Sequence, residues 1–159
     1  MTLILSKKYN PLFESKARYF IITGGRGSGK SFAVTVFLTL LTMSRGIRVL
    51  FTRFTMTSAH LSIIPEFLEK IGLLGFDETF NINKSEVVNA KNKSDILFRG
   101  IKTSAGNQTA SLKSLQGIST WVLDEAEELV DENIFDTIDL SIREKKVQNR
   151  IILVLNPVT

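Results

Sequence analysis

Between a short apolar run, Tyr19–Thr23, and a longer one beginning at Ser31 lies Gly24-Gly25-Arg26-Gly27-Ser28-Gly29-Lys30-Ser31. It fits G-x-x-x-x-G-K-[ST] at every fixed position. Four of its first six residues are glycine, so the backbone can wrap with its N–H groups turned inward. A helix starting at its end adds a positive field, and together these make a phosphate cradle. In such a loop Gly24, Gly25, Gly27, Ser28 and Gly29 supply backbone N–H groups. Lys30 reaches the β- and γ-phosphates of ATP, and the Ser31 hydroxyl ligates Mg2+. Arg26 is either an exposed loop side chain or a guanidinium able to swing onto the γ-phosphate.

The flanking segments predict the frame. Tyr19–Thr23 reads as a buried strand, and Ser31–Ser44 as a helix stopped at Arg45-Gly46. Ile47–Thr52 is a second strand. Thr57 or Ser58 could cap a helix running to about Ile71, with Pro65 either kinking it or marking its true start. Glu86–Ala90 and Asp95–Arg99 read as a strand pair, and residues 102–118 as a polar loop with one helical turn. Thr120–Leu123 and Ile151–Leu155 are apolar strands flanking an amphipathic helix at Asp131–Arg143. Strands alternating with helices predict an α/β domain, a mostly parallel sheet flanked by helices, with a small β-hairpin insertion.

Trp121-Val122-Leu123-Asp124-Glu125 ends an apolar strand on two acids. Downstream of a phosphate loop, Asp124 is placed to hold Mg2+ through water. Glu125 is placed to orient and polarise an attacking water, which favours hydrolysis over transfer to a metabolite. The catalytic candidates are therefore Glu125, Lys30 and Arg26, and the metal candidates Ser31 and Asp124.

Composition excludes other chemistries. The 159 residues contain no cysteine and one histidine, His60. A thiolate site, a cysteine nucleophile and a multi-histidine metal centre are ruled out, and a Ser-His-Asp hydrolase is disfavoured. The most apolar window, Phe32–Met43, is too short to span a bilayer, and the start does not read as an export signal. A protein without membrane partners, acting in the cytoplasm, is expected. Residues 1–60 carry nine basic residues against one acidic, and residues 119–159 four against nine. A basic first third suits a polyanion, although both blocks could equally be solvated faces.

In combination these segments resemble the ATPase domain of bacteriophage terminase large subunits. The resemblance rests on Gly24–Ser31 with its arginine and on Val49-Leu-Phe-Thr-Arg53. It continues through Leu97-Phe-Arg-Gly-Ile101, Leu112–Ile118, Trp121–Glu128 and Leu155-Asn156-Pro157. It implies a P-loop NTPase fold of the RecA-like class. It also implies an Mg-ATP-driven motor packaging double-stranded DNA, working as a homo-oligomeric ring with a small terminase subunit and a portal or procapsid. Arg26 then senses the γ-phosphate and Asn156 links hydrolysis to movement. Tyr9, beside Asn10 and Pro11, lies where such ATPases clamp adenine, an aromatic turn packed on the core being the other reading. Arg99 and Lys113 are candidate cations acting on a neighbouring subunit. Residues 102–118 could touch the DNA backbone or simply connect. The family's nuclease domain and the sheet's last strand are expected to be missing from residues 1–159, leaving Tyr19–Thr23 at an edge. A helicase-like P-loop ATPase and a nucleotide-binding fragment without turnover are the competing readings.

Overall fold

The computed structural model describes residues 4–56, 63–103, 106–107 and 109–157. The helix-cap expectations for Thr57 and Ser58 fall outside them, as does His60. A 3-10 turn at Lys7–Tyr9 runs into α1 (Asn10–Glu14). Then come β1 (Tyr19–Thr23), α2 (Lys30–Leu41), β2 (Arg48–Thr55), α3 (Ile64–Leu73), β3 (Phe80–Ile82), β4 (Glu86–Asn89) and β5 (Asp95–Thr103). The chain continues through β6 (Gly106–Asn107), α4 (Thr109–Lys113), β7 (Thr120–Asp124), a 3-10 turn at Ala126–Glu128, α5 (Glu132–Ser141) and β8 (Arg150–Leu155).

The strands form one mixed sheet in the order β1-β8-β7-β2-β5-β4-β3, with β6 pairing β5. β1, β8, β7, β2 and β5 are parallel, while β5-β4-β3 and β5-β6 are antiparallel. The fold is that of a P-loop NTPase. The expected hairpin is part of the main sheet, because its second arm, β5, also pairs in parallel with β2.

Strand alternation sorts the core into two layers. Val49, Phe51, Val122, Ile152 and Val154 face α1, α2 and α3, whereas Leu50, Trp121, Leu123 and Ile151 face α4 and α5. Helix α2 is buried along most of its length, including Thr35 and Thr39. Those hydroxyls, with that of Thr42, donate to the carbonyls of Ser31, Thr35 and Leu38, four residues back. This satisfies the polar groups of a helix sandwiched between the sheet and α3. No helix among the described residues is long and apolar enough to cross a membrane.

Helix α3 starts at Ile64 with Pro65 in its first turn. There the missing N–H and fixed φ of proline suit the helix, so Pro65 marks its start. Helix α5 is capped by Asp131, whose side chain accepts from the Asn133 N–H. The 3-10 turn with α1, and β3, are elements the apolar patterning did not signal, being too short to show a period.

Candidate functional site

In a parallel sheet of this order the loops at the C-terminal strand ends converge on one crevice. Register brings Arg53 beside Asp124 and Thr23 beside Leu155. There a cavity of about 380 Å3 is lined by Gly25–Phe32, Arg53, Asp124, Glu125, Val154, Leu155 and Asn156. Thus Arg26, Lys30, Ser31, Asp124, Glu125 and Asn156, drawn from distant segments of sequence, share one cavity.

The loop conformation needs its glycines. Gly24 has φ +154°, and a Cβ there would stand 2.8 Å from the Ser28 hydroxyl oxygen. Gly29 caps α2 in the left-handed region at φ 83°, ψ 10°. Its neighbour Lys30 is folded inward and only 8% exposed. The ammonium donates to the carbonyls of Gly24 and Gly25, to the Ser28 hydroxyl and, at 2.8 Å, to Asn156 Oδ1. Asn156 in turn donates its backbone N–H to Glu127 Oε1 at 3.2 Å. The loop lysine, the end of β8 and the turn after β7 therefore form one hydrogen-bonded chain. Arg26 is exposed and makes no hydrogen bond or ion pair among the described residues, so it is free to meet an anion in the loop.

The acidic side is equally specific. Arg53 Nε lies 2.9 Å from Asp124 Oδ2, with both side chains partly shielded. The Glu125 N–H donates to Asp124 Oδ1 at 3.1 Å. Glu125 has φ 53° and ψ 47°, the left-handed region uncommon for a residue with a Cβ. Partial burial pushes its carboxyl above the ordinary value. The Arg53 charge opposes that shift, and Asp124, Glu128 and Glu127 add to it. On the other side of the loop, Ser31 Oγ donates to Glu66 Oε1 at 2.5 Å. Ser31, Arg53, Glu66 and Asp124 line a smaller adjoining hollow. No cluster of three or more His, Cys, Asp or Glu capable of holding a metal occurs among the described residues. A divalent ion here would need oxygens from a bound phosphate to complete its shell.

The remaining candidates lie elsewhere. Tyr9 is 7% exposed, and its hydroxyl donates to the Ser28 carbonyl at 3.1 Å. It supports the loop from below and does not line the 380 Å3 cavity. Arg99 donates to the Phe98 and Ser85 carbonyls, and Lys113 is exposed at the end of α4; neither lines the cavity. Arg53 and Glu66 are the site residues that motif reading missed.

A family model for the phage terminase large subunit matches residues 16–159. The chain belongs to that family. No curated protein sequence gives a significant match. Among solved structures, this terminase chain is similar to the large terminase of a thermophilic bacteriophage, with a TM-score of 0.74 at 12% identity; the match covers 98% of this chain and 40% of that one. It is similar to the large terminase ATPase domain of Thermus phage P74-26, with a TM-score of 0.70 at 15% identity, covering 98% and 66%. It is also similar to the N-terminal domain of the DNA packaging ATPase of bacteriophage phi29, with a TM-score of 0.69 at 17% identity, covering 99% and 81%. The first of these, the thermophilic-phage protein, has been solved in complex with ADP and with ATP-γ-S. The terminase chain thus spans about two fifths of the length of that relative.

Proposed function

We propose that residues 1–159 form an ATP-hydrolysing motor domain of a viral terminase large subunit that powers packaging of double-stranded DNA into a capsid. One observation carries the reading: a phosphate loop, a metal-type carboxylate and an adjacent second carboxylate face one cavity at the sheet's C-terminal edge. The nucleotide complexes of the thermophilic-phage relative and the packaging role of the phi29 relative support it.

The loop N–H groups and Lys30 bind the phosphates, and Arg26 meets the γ-phosphate from the loop rim. The oxygens of Ser31 and Asp124 are hard donors suited to Mg2+, which when bound neutralises charge on the β- and γ-phosphates. Glu125, with its carboxyl raised and the Arg53 charge nearby, orients the attacking water and accepts its proton. Phosphate entering the loop competes for the Lys30 ammonium, now held by loop carbonyls and Asn156. Taking it releases Asn156, and through its N–H the Glu127 turn, so occupancy of the loop is felt at the end of β8. The motor works in the host cytoplasm as a ring with its small subunit and the portal. A cation from a neighbouring copy, Arg99 or Lys113, completes the site. DNA is gripped by its phosphates, which makes binding sequence-tolerant and salt-sensitive.

The test is steady-state Mg-ATP hydrolysis over a range of protein concentrations, beside Glu125→Gln. Turnover rising faster than linearly with concentration, and lowered by about 10²–10⁴-fold in the variant, is expected. ATP binding without turnover in either protein would make the chain a nucleotide-binding module. Turnover surviving Glu125→Gln would move the base to another residue.

A further inference from the structure

Ser31 is the first residue after the loop lysine, and the partner of its hydroxyl is a glutamate 35 residues away. We propose that Glu66 is a positioning residue for the metal–nucleotide site: by accepting the Ser31 proton it turns the hydroxyl's lone pairs toward the cavity and adds a second negative charge beside Asp124. The inference rests on the functional reading above and extends it to a residue outside the phosphate loop and the acidic strand.

Three observations carry it. A serine hydroxyl has one proton and two acceptor lone pairs. With the proton committed to Glu66 Oε1 at 2.5 Å, the charge-assisted range, the oxygen is left as an acceptor only. That is the state in which it can ligate a cation. Second, Ser31, Glu66, Asp124 and Arg53 surround one small hollow. Its one guanidinium is engaged with Asp124, and no cation among the described residues pairs with Glu66. The hollow therefore holds two carboxylates against one positive charge.

Third, Glu66 is held firmly. It lies in the first turn of α3, one residue before Phe67, which is fully buried with its ring against Phe51 at 6.1 Å and Phe98 at 5.4 Å. One turn on, Lys70 Nζ sits 4.8 Å from the centroid of Phe32, the residue next to Ser31. The carboxylate is thus carried by a helix that Phe67 pins to the sheet and Lys70 ties to the start of α2. A partner behind a ligand, supported in this way, is worth about 10–100-fold in metal affinity.

The experiment uses the chain as it stands and measures binding of ATP-γ-S by calorimetry, first in EDTA and then against rising Mg2+. Wild type, Glu66→Ala, Glu66→Gln, Ser31→Ala and the Glu66→Ala/Ser31→Ala double variant are compared. Glu66→Ala is expected to raise the Mg2+ concentration for half-maximal tightening by about tenfold while leaving the EDTA affinity within about twofold. Glu66→Gln, which still accepts the hydrogen bond but carries no charge, falls between it and wild type. In the Ser31→Ala background Glu66→Ala is expected to cost clearly less than in wild type, because the part acting through the hydroxyl has nothing to act on once it is gone and only the charge remains.

An unchanged Mg2+ midpoint in Glu66→Ala overturns the proposal. So does an equal loss in EDTA, which would mark a damaged loop, or a full Glu66 effect persisting without the Ser31 hydroxyl. Wild-type protein that binds ATP-γ-S with no response to Mg2+ overturns the proposed function together with this inference. A magnesium-responsive wild type matched by Glu66→Ala overturns the inference alone.

Discussion

Glu125 sits in the left-handed backbone region, at a cost of roughly 1–2 kcal/mol for a residue with a Cβ. The turn it makes ends β7 and starts the 3-10 turn at Ala126–Glu128, keeping its own side chain at the cavity. Its carboxyl titrates above the ordinary value, first because burial disfavours the charge. Between the ordinary and the raised pKa the folded state holds the proton more tightly than the unfolded chain. Stability is therefore lost as pH rises through that window. Glu125→Gln removes the penalty. Thermal melts from pH 4 to pH 8 are expected to show the variant with the higher Tm at pH 7, and the gap closing as pH falls below the ordinary carboxylate range. Arg53 opposes the shift, so Arg53→Gln moves the Glu125 pKa further up. The acidic limb of the pH–rate profile then moves to higher pH, with activity lost earlier on acidification. A limb that stays in place would mean that Arg53 acts on Asp124 alone.

At the scale of elements, the phosphate loop rests on a support that its own motif does not mention. The Tyr9 hydroxyl at the end of the first 3-10 turn holds the Ser28 carbonyl, and Lys8 Nζ reaches the same oxygen at 3.3 Å. Tyr9→Phe keeps the buried ring and removes one hydrogen bond, about 0.5–1.5 kcal/mol. For a chain of this size that is a fall in Tm of about 2–4 °C per kcal/mol. Amide exchange at Gly27–Gly29 is expected to speed up with it; a Tyr9→Phe variant with wild-type Tm and exchange would return Tyr9 to the adenine-clamp reading. The loop, β1, β2, β7 and β8 were legible because each is specified locally, by glycine spacing or by an apolar run. Arg53 beside Asp124 and Glu66 beside Ser31 were not, because each pair exists only through the sheet order or the docking of α3 on α2. Pro65 shows the same boundary: its ring chemistry allowed either a kink or a start, and the packing of Phe67 and Ile71 accompanies the start.

At the scale of the molecule, the sheet order leaves β1 paired only with β8 among the described residues. Among the described residues the strand carrying the phosphate loop therefore has no strand partner on its other side. Its exposed face is apolar as well, with Ile21 66% and Tyr19 50% exposed. Tyr19 is tied down by its hydroxyl, which donates to Asp139 Oδ2 at 2.7 Å, whereas Ile21 has no such tether. An open edge with an exposed β-branched residue is a template for pairing with another chain. Residues 1–159 are accordingly expected to self-associate as concentration rises. That association could itself alter turnover and imitate a catalytic group shared between subunits. Ile21→Lys separates the two effects: it places a charge on the edge at an exposed position where substitutions cost within about 0.5 kcal/mol. Sedimentation velocity is expected to show the variant dissociating at concentrations where wild type associates. If turnover of the variant still rises faster than linearly with concentration, the dependence comes from a contact at the nucleotide cavity and not from β1. If it becomes linear, edge pairing was its source, and a cation supplied by a neighbouring copy loses its support.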